Sequence, residues 1–74
     1  MFPPTVTQAS ALGAMLRAMR QGVGMSLSDL AERVGAHKAT LSRIENGQRV
    51  AGAELLSRIA QVIADEIKTL RDAA

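Results

Sequence analysis

Leu12, Met15, Leu16, Met19 and Val23 recur at the i, i+3, i+4, i+7 spacing of one helix face, which predicts an amphipathic helix from about Thr7. Gly22 and Gly24 end it. A second helix opens at Ser26, whose hydroxyl is suited to accept from exposed backbone N–H groups, with Asp29 three places on to return the bond and Met25 and Leu30 to staple the entrance. Leu27, Leu30, Ala31 and Val34 make its inner face, and Gly35 supplies the positive φ of a sharp stop. After the turn Gly35-Ala36-His37, a third helix over about Lys38 to Asn46 keeps only Leu41 and Ile44 apolar, with small Ala39, so most of its surface is polar. Gly47 closes it in the same manner as Gly35, and Gln48 to Gly52 form a connecting loop that carries Arg49.

Leu55, Leu56, Ile59, Val62 and Ile63 mark a fourth helix, and Ile67 and Leu70 extend the same stripe. Ala64-Asp65-Glu66 contains no Gly or Pro and tolerates helix, so a single long helix and a broken pair are both compatible with the pattern. The fold class is therefore all-α, a compact bundle of four or five helices, without internal repeats, low-complexity tracts or strand-like alternation. The first six residues hold both prolines and the lone aromatic, Phe2, and lack any period; residues 1–6 read as a flexible arm and 7–74 as the domain.

Two helices joined by so short a turn cross steeply, an arrangement that lays the first along a phosphate backbone and sends the second into the major groove, N-terminal residues first. Each residue type answers a need of that geometry. Small Ala31 lets the helices approach, Gly35 makes the turn, and Leu30, Val34, Leu41 and Ile44 hold the crossing by burial, worth about 1.5–3 kcal/mol each.

Composition sharpens this picture by exclusion. A chain of 74 residues has room for one domain and buries only about 60% of its unfolded surface. With no cysteine there are no disulfides and no thiolate zinc site, which suits a reducing cytoplasm. No apolar run approaches the roughly 18 residues of a membrane span, and Met1-Phe2-Pro3-Pro4 lacks the features of a secretory signal, so a soluble, cytoplasmic protein without membrane contact is expected. The net charge of +2 is unevenly spread: residues 1–50 hold six Arg/Lys against three acids, residues 51–74 three against four. With a pI near 9.9 this points to a polyanionic partner. One histidine, no cysteine and no convergent carboxylate pair leave little for acid–base, nucleophilic or metal chemistry, so neither enzymatic activity nor a cofactor or metal is expected. Gly22-Val23-Gly24 is no phosphate loop, since a preceding strand and a lysine–serine sequel are missing.

Leu30-Ala31, Val34-Gly35 and Leu41-Ser42-Arg43-Ile44-Glu45-Asn46-Gly47 resemble the signature of the Cro/phage-repressor type helix-turn-helix family, also called the Xre family, over roughly residues 10–63. The resemblance implies a lambda-repressor-like bundle that binds palindromic operators in double-stranded DNA as a dimer and regulates transcription, most often as a repressor. It places base reading on Lys38 and Ala39, with Thr40, Ser42 and Arg43 near the groove. The planar fork of Arg43 suits guanine O6 and N7, Lys38 suits a base or a phosphate, and Ala39 has only a methyl for thymine. Ser26 and Ser28 at the start of the second helix, where N–H groups and the dipole favour phosphate, join His37, Gln48, Arg49 and Arg17 as backbone contacts. Leu27 stands where the family commonly has a glutamine, and His37 where it has a Ser or Thr cap. Arg20 and Glu45 match a family ion pair joining the first helix to the end of the third. The plain alternatives are solvated charges for Arg43 and Arg49 and ordinary surface positions for Thr40 and Ser42. Met15, Met19 and Met25 are expected as core filler.

One such unit covers few base pairs, so two are expected about 34 Å apart on a palindrome. The segment 63–74 is the candidate dimerisation region, with Ile63, Ile67 and Leu70 either facing a second copy or packing on the first helix. The rival function is that of an antitoxin, which neutralises a toxin protein and regulates its own synthesis. Thr7-Gln8-Ala9-Ser10-Ala11-Leu12 and Lys38-Ala39-Thr40-Leu41-Ser42 are similar to such proteins, and Phe2 or the C-terminal apolar face would then contact the toxin.

Overall fold

The structure is a computed structural model, and it describes residues 8–73. Four helices follow one another: α1 (Gln8–Gly22), α2 (Leu27–Val34), α3 (Lys38–Glu45) and α4 (Ala53–Ala73). The stripe extended by Ile67 and Leu70 is thus one unbroken helix. Ala64-Asp65-Glu66 does not interrupt it, because these residues tolerate helix and their side chains reinforce the turn: Gln61 Nε2 donates to Asp65 Oδ1 at 2.9 Å and Thr69 Oγ1 to the Asp65 carbonyl at 3.0 Å.

The first three helices stop by one device. Gly24, Gly35 and Gly47 have φ of 73°, 73° and 74°, a region L-residues rarely enter. The glycine N–H bonds back three residues and the next N–H back five: Gly24 to Gln21 and Met25 to Arg20, Gly35 to Glu32 and Ala36 to Ala31, Gly47 to Ile44 and Gln48 to Arg43. This double bond pattern satisfies carbonyls that a helix end would leave orphaned. At the start of α2, Ser26 Oγ accepts from the Asp29 N–H at 3.0 Å. The Asp29 carboxylate lies 3.9 Å from Arg33, one turn on, so it serves an i, i+4 pair along α2.

The core gathers Leu16, Met25, Leu30, Ala31, Val34, Leu41, Ile44, Ala51, Ile59 and Ile63. Helix α1 packs on α3, α2 on α3, and α4 chiefly on α2. The expected core role holds for Met25 but not for Met15 and Met19, which are 51% and 38% exposed. The buried side of α1 is Gly13, Leu16 and Arg20, also spaced i, i+3, i+7, and it is turned away from the methionine stripe. Backbone contact at Gly13 and the partner of Arg20 orient α1, and both override the apolar periodicity. Ile63 is 1% exposed and belongs to the core, whereas Ile67 and Leu70, at 50% and 49%, project beyond it.

Candidate nucleic-acid interface

Helix α3 buries Leu41, Ile44 and Glu45, which places Ala39, Arg43 and Asn46 on the opposite, outward face. Lys38 and His37 are exposed at its N-terminal end, and Thr40 and Ser42 are half-buried along its flanks. His37 occupies the cap position in extended backbone (φ −72°, ψ 141°) without a side-chain cap bond, so the first N–H groups of α3 are left to other acceptors. Ser26 and Ser28 are exposed at the start of α2, and Gln48 and Arg49 in the loop after α3; Arg17 is exposed on α1. Ser26 Oγ spends an acceptor site on the Asp29 N–H but keeps its own proton to donate.

The cations divide by partner. Arg20 pairs with Glu45, Arg33 with Glu66 at 2.7 Å, Arg58 with Glu54 at 2.5 Å, and Arg71 approaches Asp72 at 3.9 Å. Among the described residues, Arg17, Lys38, Arg43, Arg49 and Lys68 have no carboxylate partner. Four of these five are the cations that the sequence nominates for DNA, and Lys68 on α4 is the exception. An unpaired exposed cation remains available for a phosphate or a base edge, whereas a paired one must first give up its carboxylate.

Arg20 and Glu45 tie the outward face to the scaffold. Arg20 Nε donates to Glu45 Oε2 at 2.8 Å and Nη2 to Oε1 at 3.0 Å, while Nη1 donates to the Met25 carbonyl at 2.8 Å. One guanidinium therefore joins α1, the entrance to α2 and the end of α3. Both partners are buried, at 8% and 9% exposure, and the hydrogen bond with Glu45, against the cost of burial, raises the Arg20 pKa above the ordinary arginine value. Among the described residues, no buried side-chain nitrogen or oxygen lacks a partner.

Close backbone contact completes the junction. A Cβ on Gly13 would overlap the Ile44 carbonyl oxygen and lie 2.9 Å from that of Glu45, so α1 and α3 touch backbone to backbone. Gly47 likewise faces Ser10, whose Cα would lie 2.8 Å from an added Cβ. Gly13 carries the contact with α3, and its only mark along the chain is its place three before Leu16 and seven before Arg20. The arm 1–6, with Phe2, lies outside the described residues. Among the described residues, no group of three or more His, Cys, Asp or Glu is placed to hold a metal ion, and no helix is long and apolar enough to cross a membrane.

A family model described as a helix-turn-helix domain matches residues 11–73. Two proteins of Mycobacterium tuberculosis named HTH-type transcriptional regulators, from different strains, are each 38% identical over 51 residues, covering 69% of this chain and 36% of their own length. The chain thus spans about a third of these curated relatives. Among solved structures, the clp gene regulator ClgR from Corynebacterium glutamicum superposes with a TM-score of 0.81 at 32% identity, over 85% of this chain and 81% of that one. A second ClgR structure gives 0.77 at 30% identity, over 95% and 79%. With the packed pair α2 and α3, their glycine turn and a family match over nearly all described residues, the chain belongs to the helix-turn-helix family of DNA-binding domains.

Proposed function

We propose that this chain is the sequence-reading part of a transcriptional repressor of the Xre type, which recognises a half-site by seating α3 in the major groove and acts by occupying its operator. The carrying observation is the division of the cations: Lys38 and Arg43 on α3, Arg49 in the loop after it and Arg17 on α1 are exposed and unpaired, while Arg20, Arg33, Arg58 and Arg71 have acidic neighbours. Arg43 and Ala39 lie on the outward face of α3, where Arg43 donates to guanine O6 and N7 and Ala39 meets a thymine methyl. Lys38 reaches a base or phosphate at the helix start, with Thr40 and Ser42 alongside. Ser26, Ser28 and His37 bind phosphate at the starts of α2 and α3, as do Gln48 and Arg49 in the following loop; Arg17 extends the track on α1. The names of the relatives, all regulators, agree with this reading.

Selection of duplexes from a random pool near physiological salt tests it. Wild type is expected to enrich an inverted repeat, and the Lys38→Ala/Arg43→Ala double variant to lose it; no enrichment by wild type would overturn sequence-specific reading. Arg49→Ala is expected to weaken all sequences alike and to lower the salt slope of log K by about 1, as loss of one phosphate contact does.

The inverted repeat requires two copies, and exposed Ile67 and Leu70 on the projecting end of α4 supply an apolar face for a second one. Ile67→Asp/Leu70→Asp is expected to leave the helical circular dichroism unchanged, because both side chains lie outside the core, and to abolish any dimer seen by sedimentation. A dimer unaffected by the pair would place the interface elsewhere.

A further inference from the structure

The exposed residues of α3 are Lys38, Ala39 and Arg43, and the last two stand four apart, so they lie one above the other on the side opposite Leu41, Ile44 and Glu45. Side chains on a helix lean back over the turn that precedes them, which carries the Arg43 stem towards Ala39. Ala39 ends at its Cβ and leaves room for the guanidinium to settle beside that methyl. No carboxylate draws the guanidinium elsewhere, since among the described residues Arg43 has no acidic partner. The two side chains therefore present one composite surface, a planar set of donors with an apolar edge.

Guanine answers the donors with O6 and N7, and the apolar edge calls for a methyl group in the groove. Successive bases on a strand stand about 3.4 Å apart, so a pyrimidine next to that guanine brings its C5 substituent against both Ala39 and the apolar face of the guanidinium plane. Thymine carries a methyl at C5 and cytosine a hydrogen, whereas 5-methylcytosine carries the same methyl as thymine. Arg43 is committed to guanine and Ala39 has no polar group with which to tell the thymine O4 from the cytosine N4, so the methyl is what this surface reads. We propose that Ala39 and Arg43 act as one reader of a C5-methylated pyrimidine followed by guanine, so that a 5-methylcytosine-guanine step is a ligand of α3 alongside thymine-guanine and cytosine methylation strengthens binding. The inference rests on the DNA-reading function proposed above and deepens it by naming the dinucleotide and a modification that controls its recognition.

The test starts from the half-site that wild type selects from the random duplex pool, in which a pyrimidine-guanine step lost by Arg43→Ala marks the position. Duplexes with thymine, uracil, cytosine or 5-methylcytosine at that pyrimidine, changed in one half-site only, are then titrated with wild type, Ala39→Gly and Arg43→Ala. Wild type is expected to bind thymine about fourfold tighter than uracil, and 5-methylcytosine about fourfold tighter than cytosine, the worth of burying one methyl group. Ala39→Gly should shrink both ratios while keeping the preference for guanine. Arg43→Ala should shrink them too, because the methyl then loses the guanidinium plane. Circular dichroism checks the fold of each variant, and the four wild-type titrations need no variant at all. Uracil bound as well as thymine, unmodified cytosine bound as well as 5-methylcytosine, or a selected guanine without a fixed pyrimidine beside it would each overturn the inference. Full methyl ratios in Arg43→Ala would make Ala39 an independent contact and overturn the single reader. If wild type selects no sequence at all, the underlying DNA-reading function fails instead.

Discussion

Replacing Gly13 with alanine is expected to destabilise the domain by about 1–3 kcal/mol, the usual cost of overpacking a filled interior. Two effects compete. Alanine is a better helix former than glycine by about 1 kcal/mol, which favours the variant. Against it, the new Cβ would overlap the Ile44 carbonyl oxygen and stand 2.9 Å and 3.0 Å from the Glu45 carbonyl oxygen and carbon. Those atoms are backbone at the end of α3, where the Ile44 carbonyl already accepts from the Gly47 N–H, and they cannot swing aside as a side-chain tip would. The clash wins, and α1 must lift from α3. A loss of that size lowers the melting temperature of so small a domain by about 4–8 °C per kcal/mol.

Gly22→Ala is the matched control. Nothing lies within 4 Å of its added Cβ, and the residue ends α1 without a positive φ. Here the lower entropy of the unfolded chain acts alone, so a gain of up to about 1 kcal/mol is expected. Thermal or urea unfolding of the two variants should therefore move in opposite directions. A neutral Gly13→Ala would mean that α1 and α3 do not meet backbone to backbone.

Truncating Glu45 to alanine is expected to cost more, about 3–5 kcal/mol, because it strands a buried guanidinium that has lost its carboxylate. The Met25 carbonyl would still accept from Nη1, but it cannot neutralise the charge. The joint replacement Arg20→Met/Glu45→Leu removes both charges and retains apolar volume, and it should cost much less than the single truncation. Denaturant unfolding of the single and joint variants measures the difference. Equal losses would imply that the ion pair is solvated rather than buried.

The pH dependence follows from the direction of the Arg20 shift. Its pKa is raised in the folded protein, so the stability it contributes is fully present below the ordinary arginine value and is lost only as pH rises through the still higher folded value. Across neutral and moderately alkaline pH this contribution is flat. The exposed Arg33–Glu66 link from α2 to α4 is a weaker fastening, since solvent screens both partners.

Much of the fold could be read along the chain because its signals are local. The stops at Gly24, Gly35 and Gly47 depend on bonds reaching three and five residues back, and the cap at Ser26 on a group three residues on. The apolar sets of α2 and of the start of α4 were equally plain, since each helix buries one continuous stripe. Arg20 and Glu45 were paired from a family resemblance, and no spacing rule reaches across 25 residues. The candidate site was legible in its residue types, as exposed cations at the start and outward side of α3.

The rotation of α1 was a different matter. Its stripe Leu12, Met15, Leu16, Met19 and the buried set Gly13, Leu16, Arg20 share the same period and differ only in which side turns inward. Periodicity gives the spacing of a face and not its azimuth; packing chose the azimuth, by seating Gly13 on the α3 backbone and Arg20 on Glu45. The same holds for the unbroken α4. Helix-tolerant residues permitted either course at Ala64-Asp65-Glu66. Local hydrogen bonding and turn chemistry are written over a few consecutive residues, whereas the facing of each helix depends on contacts between segments far apart in the chain.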